Sequence, residues 1–205
     1  MNVKSKRLVI AISGASGMIY PLRLLKSLPA AYQVELIISD PAKKIMEDET
    51  GWNCDRQSAA DFLSEKYGQD QKLKNIRLWT DDNFYAGPAS GSYFTEGMVV
   101  CPCSMKTLSG IANGYAQTLI ERAADVNLKE RRPLILLIRE TPFNRIHLEN
   151  MLKAHDAGAV IVPANPAFYH YPETIEDLVD FIIARILNLL KIEQNLFTGW
   201  QEEID

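Results

Sequence analysis

The sequence has few cysteines, no long apolar run and no excess of positive charge. Its three cysteines are too sparse to predict a disulfide framework. No apolar run approaches the roughly 20 residues that cross a bilayer, and residues 1–7 lack the apolar core of a secretory signal. The formal net charge of −4 argues against a general nucleic-acid binder, which usually carries a basic face. We therefore expect no membrane and no nucleic-acid partner, and a cytoplasmic location.

What is present is the composition of an ordinary soluble protein, with 47% hydrophobic and 23% charged residues. A length of 205 residues favours one compact domain over residues 1–205. A chain of this size can bury a sizeable core without disulfides or metals.

Buried-strand patterns alternate with helical patterns along the chain. The helix near the end is the clearest, because Ile175, Val179, Ile182 and Ile186 keep the spacing of one apolar face. This alternation predicts a three-layer Rossmann-like (flavodoxin-like) α/β fold, with helices on both faces of a parallel sheet. The predicted strands are 7–12, 34–38, 97–101, 134–138 and 159–162, and the predicted helices are 18–28, 41–49, 58–66, 105–112, 119–128, 145–157 and 175–190.

Two segments fall outside this alternation. Residues 83–95 are rich in Gly, Ser, Pro and aromatic residues and predict a long loop, which in a compact domain is often functional. Trp200 stands in a short polar tail, about 191–205, where a large aromatic side chain has no local core. We expect the tail to pack at a subunit interface or over a functional site.

The first predicted strand runs directly into a turn at 13–17. Its glycines let the backbone turn tightly, and free N–H groups there favour an anion or polar ligand. Three interpretations are open: a plain helix start with Ser16 as N-cap, a nicotinamide dinucleotide site, or a flavin mononucleotide (FMN) site. Gly14 and Gly17 match part of the dinucleotide fingerprint, but Tyr20 stands where its third glycine belongs.

A second turn, 102–107, follows the third predicted strand and opens a helix. Ser104 and Thr107 place hydroxyl groups beside unpaired helix N–H groups, which suits a phosphate or the polar tail of a ribityl chain. The same Ser-x-x-Thr pattern also occurs at plain helix starts. Cys101 and Cys103 do not have a usual zinc-ligand spacing, so we expect no metal there and interpret both as buried small hydrophobic residues.

Several cations lie where they could bind a phosphate. Arg139 directly follows a predicted strand, where its planar fork suits phosphate, although an internal ion pair with Glu140 is an equal alternative. Arg122 and Lys129 are seven residues apart and therefore share one helix face. Arg185 lies beside the apolar face of the last helix, where it is otherwise a surface arginine.

Other polar residues have simpler interpretations. Tyr169 follows the last predicted strand, and it either donates to a phosphate or packs against its neighbours. We interpret Arg131 and Arg132 as part of a solvated helix face, and His147 as a structural helix residue.

Taken together, eight blocks of the sequence resemble the UbiX-type flavin prenyltransferases. The resemblance runs from about residue 7 to about residue 200 and is most specific between 97 and 169. The blocks are 14–17, 97–100, 102–108, 119–126, 128–132, 139–142, 147–151 and 166–169.

This resemblance implies an enzyme that transfers a dimethylallyl group from dimethylallyl phosphate to the N5 and C6 atoms of reduced FMN. The product, prenylated FMN, is the cofactor of UbiD-type decarboxylases. The family needs no metal and assembles as a dodecamer with sites between subunits.

The resemblance also implies roles for residues at matching positions. FMN would be held by Gly14, Ala15, Ser16, Ser39, Ser104, Met105, Lys106, Thr107 and Arg139. The prenyl phosphate would be held by Arg122, Lys129, Arg139, Glu140, Tyr169 and Arg185, with Arg122 reaching in from a neighbouring subunit. The residues at the reacting groups would be Ser16, Glu49, Glu140, Lys129, Tyr169 and Trp200. Cations there would stabilise the departing phosphate, and aromatic faces the allylic cation.

Some positions depart from the family pattern. Phe84 stands where members often have tryptophan, Pro21 stands where they have glycine, and 39–42 read Ser-Asp-Pro-Ala in place of Ser-Lys-Ala-Ala. Two alternatives share the fold, namely an FMN-dependent cysteine decarboxylase and a non-catalytic flavin carrier. The decarboxylases use an early catalytic histidine, whereas the first histidine here is His147.

Overall fold

The structure is a computed structural model that describes residues 6–68 and 75–197. Over these ranges the chain forms one parallel sheet from β1 (Lys6–Ile12), β2 (Tyr32–Ile38), β3 (Ile76–Thr80), β4 (Met98–Cys103), β5 (Leu134–Ile138) and β6 (Val160–Pro163). Its α-helices are α1 (Ile19–Ser27), α2 (Asp40–Thr50), α3 (Ala59–Tyr67), α4 (Met105–Asn113), α5 (Leu119–Lys129), α6 (Arg145–Asp156) and α7 (Ile175–Leu189). The strand order is β3-β2-β1-β4-β5-β6, so the direction of winding reverses between β1 and β4.

Helices cover both faces of the sheet and produce two hydrophobic cores. In β1, Leu8, Ile10 and Ile12 face a core shared with α1, α2, α3 and α7. Val9 and Ala11 face a second core shared with α4, α5 and α6. Strands buried on both faces are apolar at nearly every position, which is why the sequence shows them as continuous runs. The predicted fold class is confirmed.

The strand β3 (Ile76–Thr80) is not predicted from the sequence. It lies at the edge of the sheet, pairs only with β2 among the described strands, and has half-buried or exposed residues throughout. Its sequence Ile-Arg-Leu-Trp-Thr therefore has no continuous apolar run to signal it. The other predicted elements are found with ends within two residues of the predicted ones.

Three further predictions are confirmed in the described residues. Cys101 and Cys103 are buried. The segment 83–95 is a loop of turns with one short 3-10 helix at Gly87–Ala89. His147 has a structural role, because it completes the capping box of α6 with Asn144. No α-helix in the described ranges is both long enough and apolar enough to span a membrane.

Candidate functional site

The carboxyl ends of β1 and β4 are tied together at the point where the winding reverses. Ser13, which is fully buried, donates its N–H and its hydroxyl to the Pro102 carbonyl at 3.2 and 2.9 Å. The same hydroxyl oxygen accepts from the Ser104 N–H at 2.8 Å. Ser13 thereby fixes the two strand-to-helix turns relative to each other. Sequence patterns place Ser13 in the first turn but do not indicate this bridging role.

The first turn binds an anion that belongs to the chain itself. The N–H groups of Gly17 and Met18 donate to Glu49 Oε2 at 3.0 and 2.8 Å, and the Ser16 hydroxyl also hydrogen-bonds this carboxylate. The helix α1 begins at Ile19, with Met18 as its N-cap and no side-chain cap. The interpretation of Ser16 as an N-cap is therefore wrong. The N–H groups of Gly17 and Met18 are likewise not free for a ligand.

These donors keep Glu49 ionised. Burial raises the pKa of the Glu49 carboxyl, but hydrogen bonds from Ser16, Met18 and Gly17, together with nearby Arg139, outweigh it. The pKa of Glu49 is therefore lower than usual, and the carboxylate form holds the turn in place.

We expect Glu49→Gln to destabilise the protein in a pH-dependent way. A lowered folded-state pKa contributes stability above the unfolded-state pKa, and this contribution is lost as pH falls through the folded-state value. The difference in unfolding free energy between wild type and Glu49→Gln should be larger at about pH 7 than at about pH 3. Urea unfolding at both pH values measures it. Asp48→Asn, at an exposed position of the same helix, is the control, and equal differences at both pH values would contradict the prediction.

The second turn both starts a helix and contributes to a cavity wall. Ser104 is the N-cap of α4: its Oγ accepts from the Thr107 N–H at 3.3 Å and lies 3.1 Å from Thr107 Oγ1. Lys106 Nζ lies 3.3 Å from Oε1 of the buried Glu121, while most of the Lys106 side chain remains exposed. Met105 packs against the second core and is not part of the cavity wall described next.

A cavity of about 400 Å³ lies at the carboxyl ends of β1 to β4. A Cβ on Gly14 would come within 2.8 Å of Pro41 Cβ, so glycine is required for this wall. Of the nine residues predicted to hold FMN, five line the cavity, namely Gly14, Ser39, Ser104, Lys106 and Thr107.

Part of the cavity wall is not predicted from the sequence. Asp81, Asp82, Gln117 and Thr118 also line it. Asp81 Oδ1 accepts from the Ile120 N–H at 2.8 Å, and the pKa of Asp81 is raised, mainly by burial. Asp81 directly follows the unpredicted strand β3, so the sequence does not predict its position in the cavity wall.

Arg139 also lies at the carboxyl ends of the strands, and one of its N–H donors has no partner in the described ranges. Its Cγ is 3.8 Å from the position that a Cβ would take on Gly17, and it is close enough to Glu49 to lower the pKa of that carboxyl. Within the described ranges, the buried Nε of Arg139 has no hydrogen-bond partner. Buried polar groups are nearly always paired. This donor is one of six unpaired buried side-chain atoms in the described residues, and it lies at the same carboxyl ends of the strands as the cavity.

The alternative for Arg139, an internal ion pair with Glu140, is absent from the ion pairs of the described residues. Glu140 is half-buried, and its Oε1 accepts from the N–H of Thr141 at 3.0 Å. Both side chains thus remain available at the end of β5.

Lys129 lies at the amino ends of the strands, away from the cavity. It ends α5 next to the first residues of β4 and β5, and its Nζ pairs with the neighbouring Glu130. The five residues of β5 separate the amino ends of the strands from Arg139, a span of roughly 17 Å. Arg122, earlier on α5, donates from Nε to the Ala89 carbonyl at 3.1 Å. One chain alone does not place Lys129 and Arg139 on the same phosphate.

The interpretation of Arg132 as a solvated residue is wrong. Its side chain is 11% exposed, and its guanidinium donates to the carbonyls of Tyr93 and Gly91 at 3.0 and 2.6 Å. The loop 83–95 folds over the end of α5 and covers this arginine. Arg131 is exposed, as predicted.

Tyr169 and Arg185 lie on a third part of the surface. The Tyr169 ring contacts Phe181 and Phe197 edge-on, with centroids 6.0 and 6.3 Å away. Arg185 is exposed and follows Phe181 by about one turn of α7. Trp200, the remaining predicted site residue, lies outside the described residues.

Known proteins resemble this chain over nearly its whole length. A protein-family model described as Flavoprotein matches residues 1–187. The flavin prenyltransferase UbiX of Pseudomonas aeruginosa is 49% identical over 201 residues, which cover 97% of this chain and 95% of that protein.

Solved structures give the same result. The structure of AnUbiX (PadA1) in complex with FMN and dimethylallyl pyrophosphate is 36% identical, with a TM-score of 0.84, and the match covers 97% of this chain and 98% of that one. The structure of a dodecameric FMN-dependent Ubix-like decarboxylase from Escherichia coli O157:H7 is 38% identical, with a TM-score of 0.83, and the match covers 95% and 99%.

Proposed function

Because the chain belongs to the UbiX family of flavin prenyltransferases, we propose that it transfers a dimethylallyl group from dimethylallyl phosphate to the N5 and C6 atoms of reduced FMN. The product, prenylated FMN, would serve a UbiD-type decarboxylase. The observation that carries this proposal is the cavity at the carboxyl ends of the strands, lined by five of the nine residues that match the family's flavin site. Arg139, whose buried Nε has no hydrogen-bond partner in the described ranges, follows β5 at the same ends of the strands.

The cavity suits FMN in size and in chemistry. Its volume of about 400 Å³ falls within the usual range for small-molecule sites. Ser39, Ser104 and Thr107 offer hydroxyl groups for the ribityl phosphate, and Lys106 offers a positive charge. The buried Nε of Arg139 offers a donor that has no partner among the described residues. When bound, reduced FMN supplies the ring atoms that accept the prenyl group.

The prenyl phosphate would bind beside this cavity. Arg139 and Glu140 lie at the end of β5, and Arg139 can present a planar fork to a phosphate. Breaking the allylic C–O bond leaves a phosphate anion, which oriented cations stabilise electrostatically. We assign this role to Lys129, Arg139 and Arg185, with Arg122 reaching in from a neighbouring subunit and Tyr169 as a further hydrogen-bond donor. The Ser16–Glu49 contact keeps the neighbouring turn rigid while this happens.

The site would be completed between subunits. Lys129 lies at the amino ends of the strands, whereas Arg139 lies at the carboxyl ends. Lys129 can therefore bind only the prenyl phosphate in another chain's site. Leu148 and Leu152, one turn apart on α6, are 54% and 60% exposed and form an apolar surface that a second copy would cover. The solved E. coli relative is described as dodecameric, and we propose the same assembly here.

The direct test is a prenyl-transfer assay under anaerobic conditions. Purified protein, reduced FMN and dimethylallyl phosphate should yield a flavin heavier by one prenyl unit in mass spectrometry. A parallel reaction with dimethylallyl pyrophosphate identifies the donor. Recovery of unmodified flavin alone, while the P. aeruginosa relative is active in the same assay, would contradict the proposal and favour a flavin carrier.

A further inference from the structure

A buried carboxylate lies in the sheet away from the cavity wall. Glu35 in β2 is 0% exposed. It accepts hydrogen bonds from Trp79 Nε1 at 2.6 Å, the Tyr93 hydroxyl at 2.7 Å and Gln33 Nε2 at 3.0 Å. The ion pairs of the described residues do not include Glu35. A buried charge held by neutral donors is costly unless its hydrogen bonds are kept, so the group resists any movement of these partners.

Tyr93 connects this carboxylate to the loop 83–95. Its ring lies against Gly87, where an added Cβ would come within 2.7 Å of it. The Arg7 guanidinium carbon lies 4.4 Å from the ring centroid. Burial, followed by the hydrogen bond to Glu35, raises the pKa of Tyr93 to about 12, so the hydroxyl remains a donor at neutral pH. The loop is thus anchored to the sheet at one side chain.

The anchored loop in turn contacts both cations of α5. The Ala89 carbonyl accepts from Arg122 Nε at 3.1 Å. Gly91 packs so closely on Lys129 that an added Cβ would come within 2.7 Å of Nζ. Arg132 joins the loop to the end of α5 through two loop carbonyls. A continuous set of contacts therefore runs from Glu35 to Arg122 and Lys129.

From these contacts we infer that Glu35 and Tyr93 are positioning residues for the prenyl-phosphate site of a neighbouring subunit. They hold the loop that orients Arg122 and Lys129, and they do not touch the substrate themselves. The inference rests on the proposed function, in which those two cations bind the phosphate from another chain. Oriented cations contribute more to anion binding than mobile ones, because they lose less conformational entropy when the anion binds.

The test is Tyr93→Phe, which removes one hydroxyl and keeps the ring between Gly87 and Arg7. We expect the KM for dimethylallyl phosphate to rise about tenfold, the effect of one hydrogen bond to a charged group, with a smaller change in kcat. FMN affinity, measured by flavin fluorescence, should be unchanged. Glu35→Gln is a second variant with the same expected split between KM and FMN affinity. Tyr32→Phe, which removes a hydroxyl from the first residue of the same strand, is the matched control.

A double-mutant cycle separates positioning from a general loss of stability. If Tyr93 acts through Lys129, then Tyr93→Phe should have little further effect on KM in a Lys129→Ala protein. An unchanged KM in Tyr93→Phe, or the same rise with and without Lys129, would overturn the inference while wild type remains active. A wild type that makes no prenylated flavin would instead overturn the proposed function.

Discussion

Arg139→Ala is expected to lower kcat/KM for prenyl transfer by about 10²- to 10³-fold, the loss typical of removing an oriented donor to a developing anion. Arg139 lies where β5 ends, next to the first turn and Glu49, and its buried Nε has no partner in the described part of the chain. In the proposed site, the alanine variant would therefore remove both a donor for the flavin and a cation for the phosphate. Steady-state kinetics with FMN titration measure the two losses separately.

Two companion variants make this result specific. Arg56→Ala removes an exposed arginine from the loop between α2 and α3, away from the cavity wall and from α6, so activity should stay at the wild-type level. Arg139→Lys keeps the charge but loses the planar fork, and activity should be intermediate. If Arg139→Ala transferred the prenyl group as fast as Arg56→Ala, the assignment of Arg139 to the site would be wrong.

The fold is predictable from the sequence wherever burial is complete. The strands β1, β2, β4 and β5 are covered on both faces and therefore appear as apolar runs. The edge strand β3 has exposed and half-buried residues, so its pattern is lost, and with it the position of Asp81 in the cavity wall. The two turns that frame the site are thus predictable from the sequence, whereas the side that β3 supplies is not.

The candidate site is predictable only as far as local order along the chain can show. The turn residues Gly14 and Ser104 come just after strands, so the topology of a parallel sheet predicts their position at the carboxyl ends, where ligands bind. Glu49, which holds the first turn, comes from the distant end of α2, and no local pattern reveals that contact. The buried contacts of Arg132 depend in the same way on a loop remote in sequence.

Subunits that carry Lys129→Ala are expected to restore activity when they assemble with subunits that carry Arg139→Ala. Lys129 lies at the amino ends of the strands and Arg139 at the carboxyl ends, so a phosphate held by both must lie between two chains. Each variant alone should be strongly impaired, because every site then lacks one of the two cations. In randomly mixed oligomers of equal composition, about a quarter of the sites would combine an intact Lys129 with an intact Arg139.

Co-expression with two affinity tags, followed by the prenyl-transfer assay, measures this recovery. The control mixes Lys129→Ala subunits with the double variant Lys129→Ala/Arg139→Ala, in which no chain has Lys129, so activity should stay low. Recovery in the first mixture but not in the second requires Lys129 to act on another chain's site. If the first mixture remained as inactive as its parents, both residues would have to act within one chain, which the roughly 17 Å length of β5 does not allow without a rearrangement of α5.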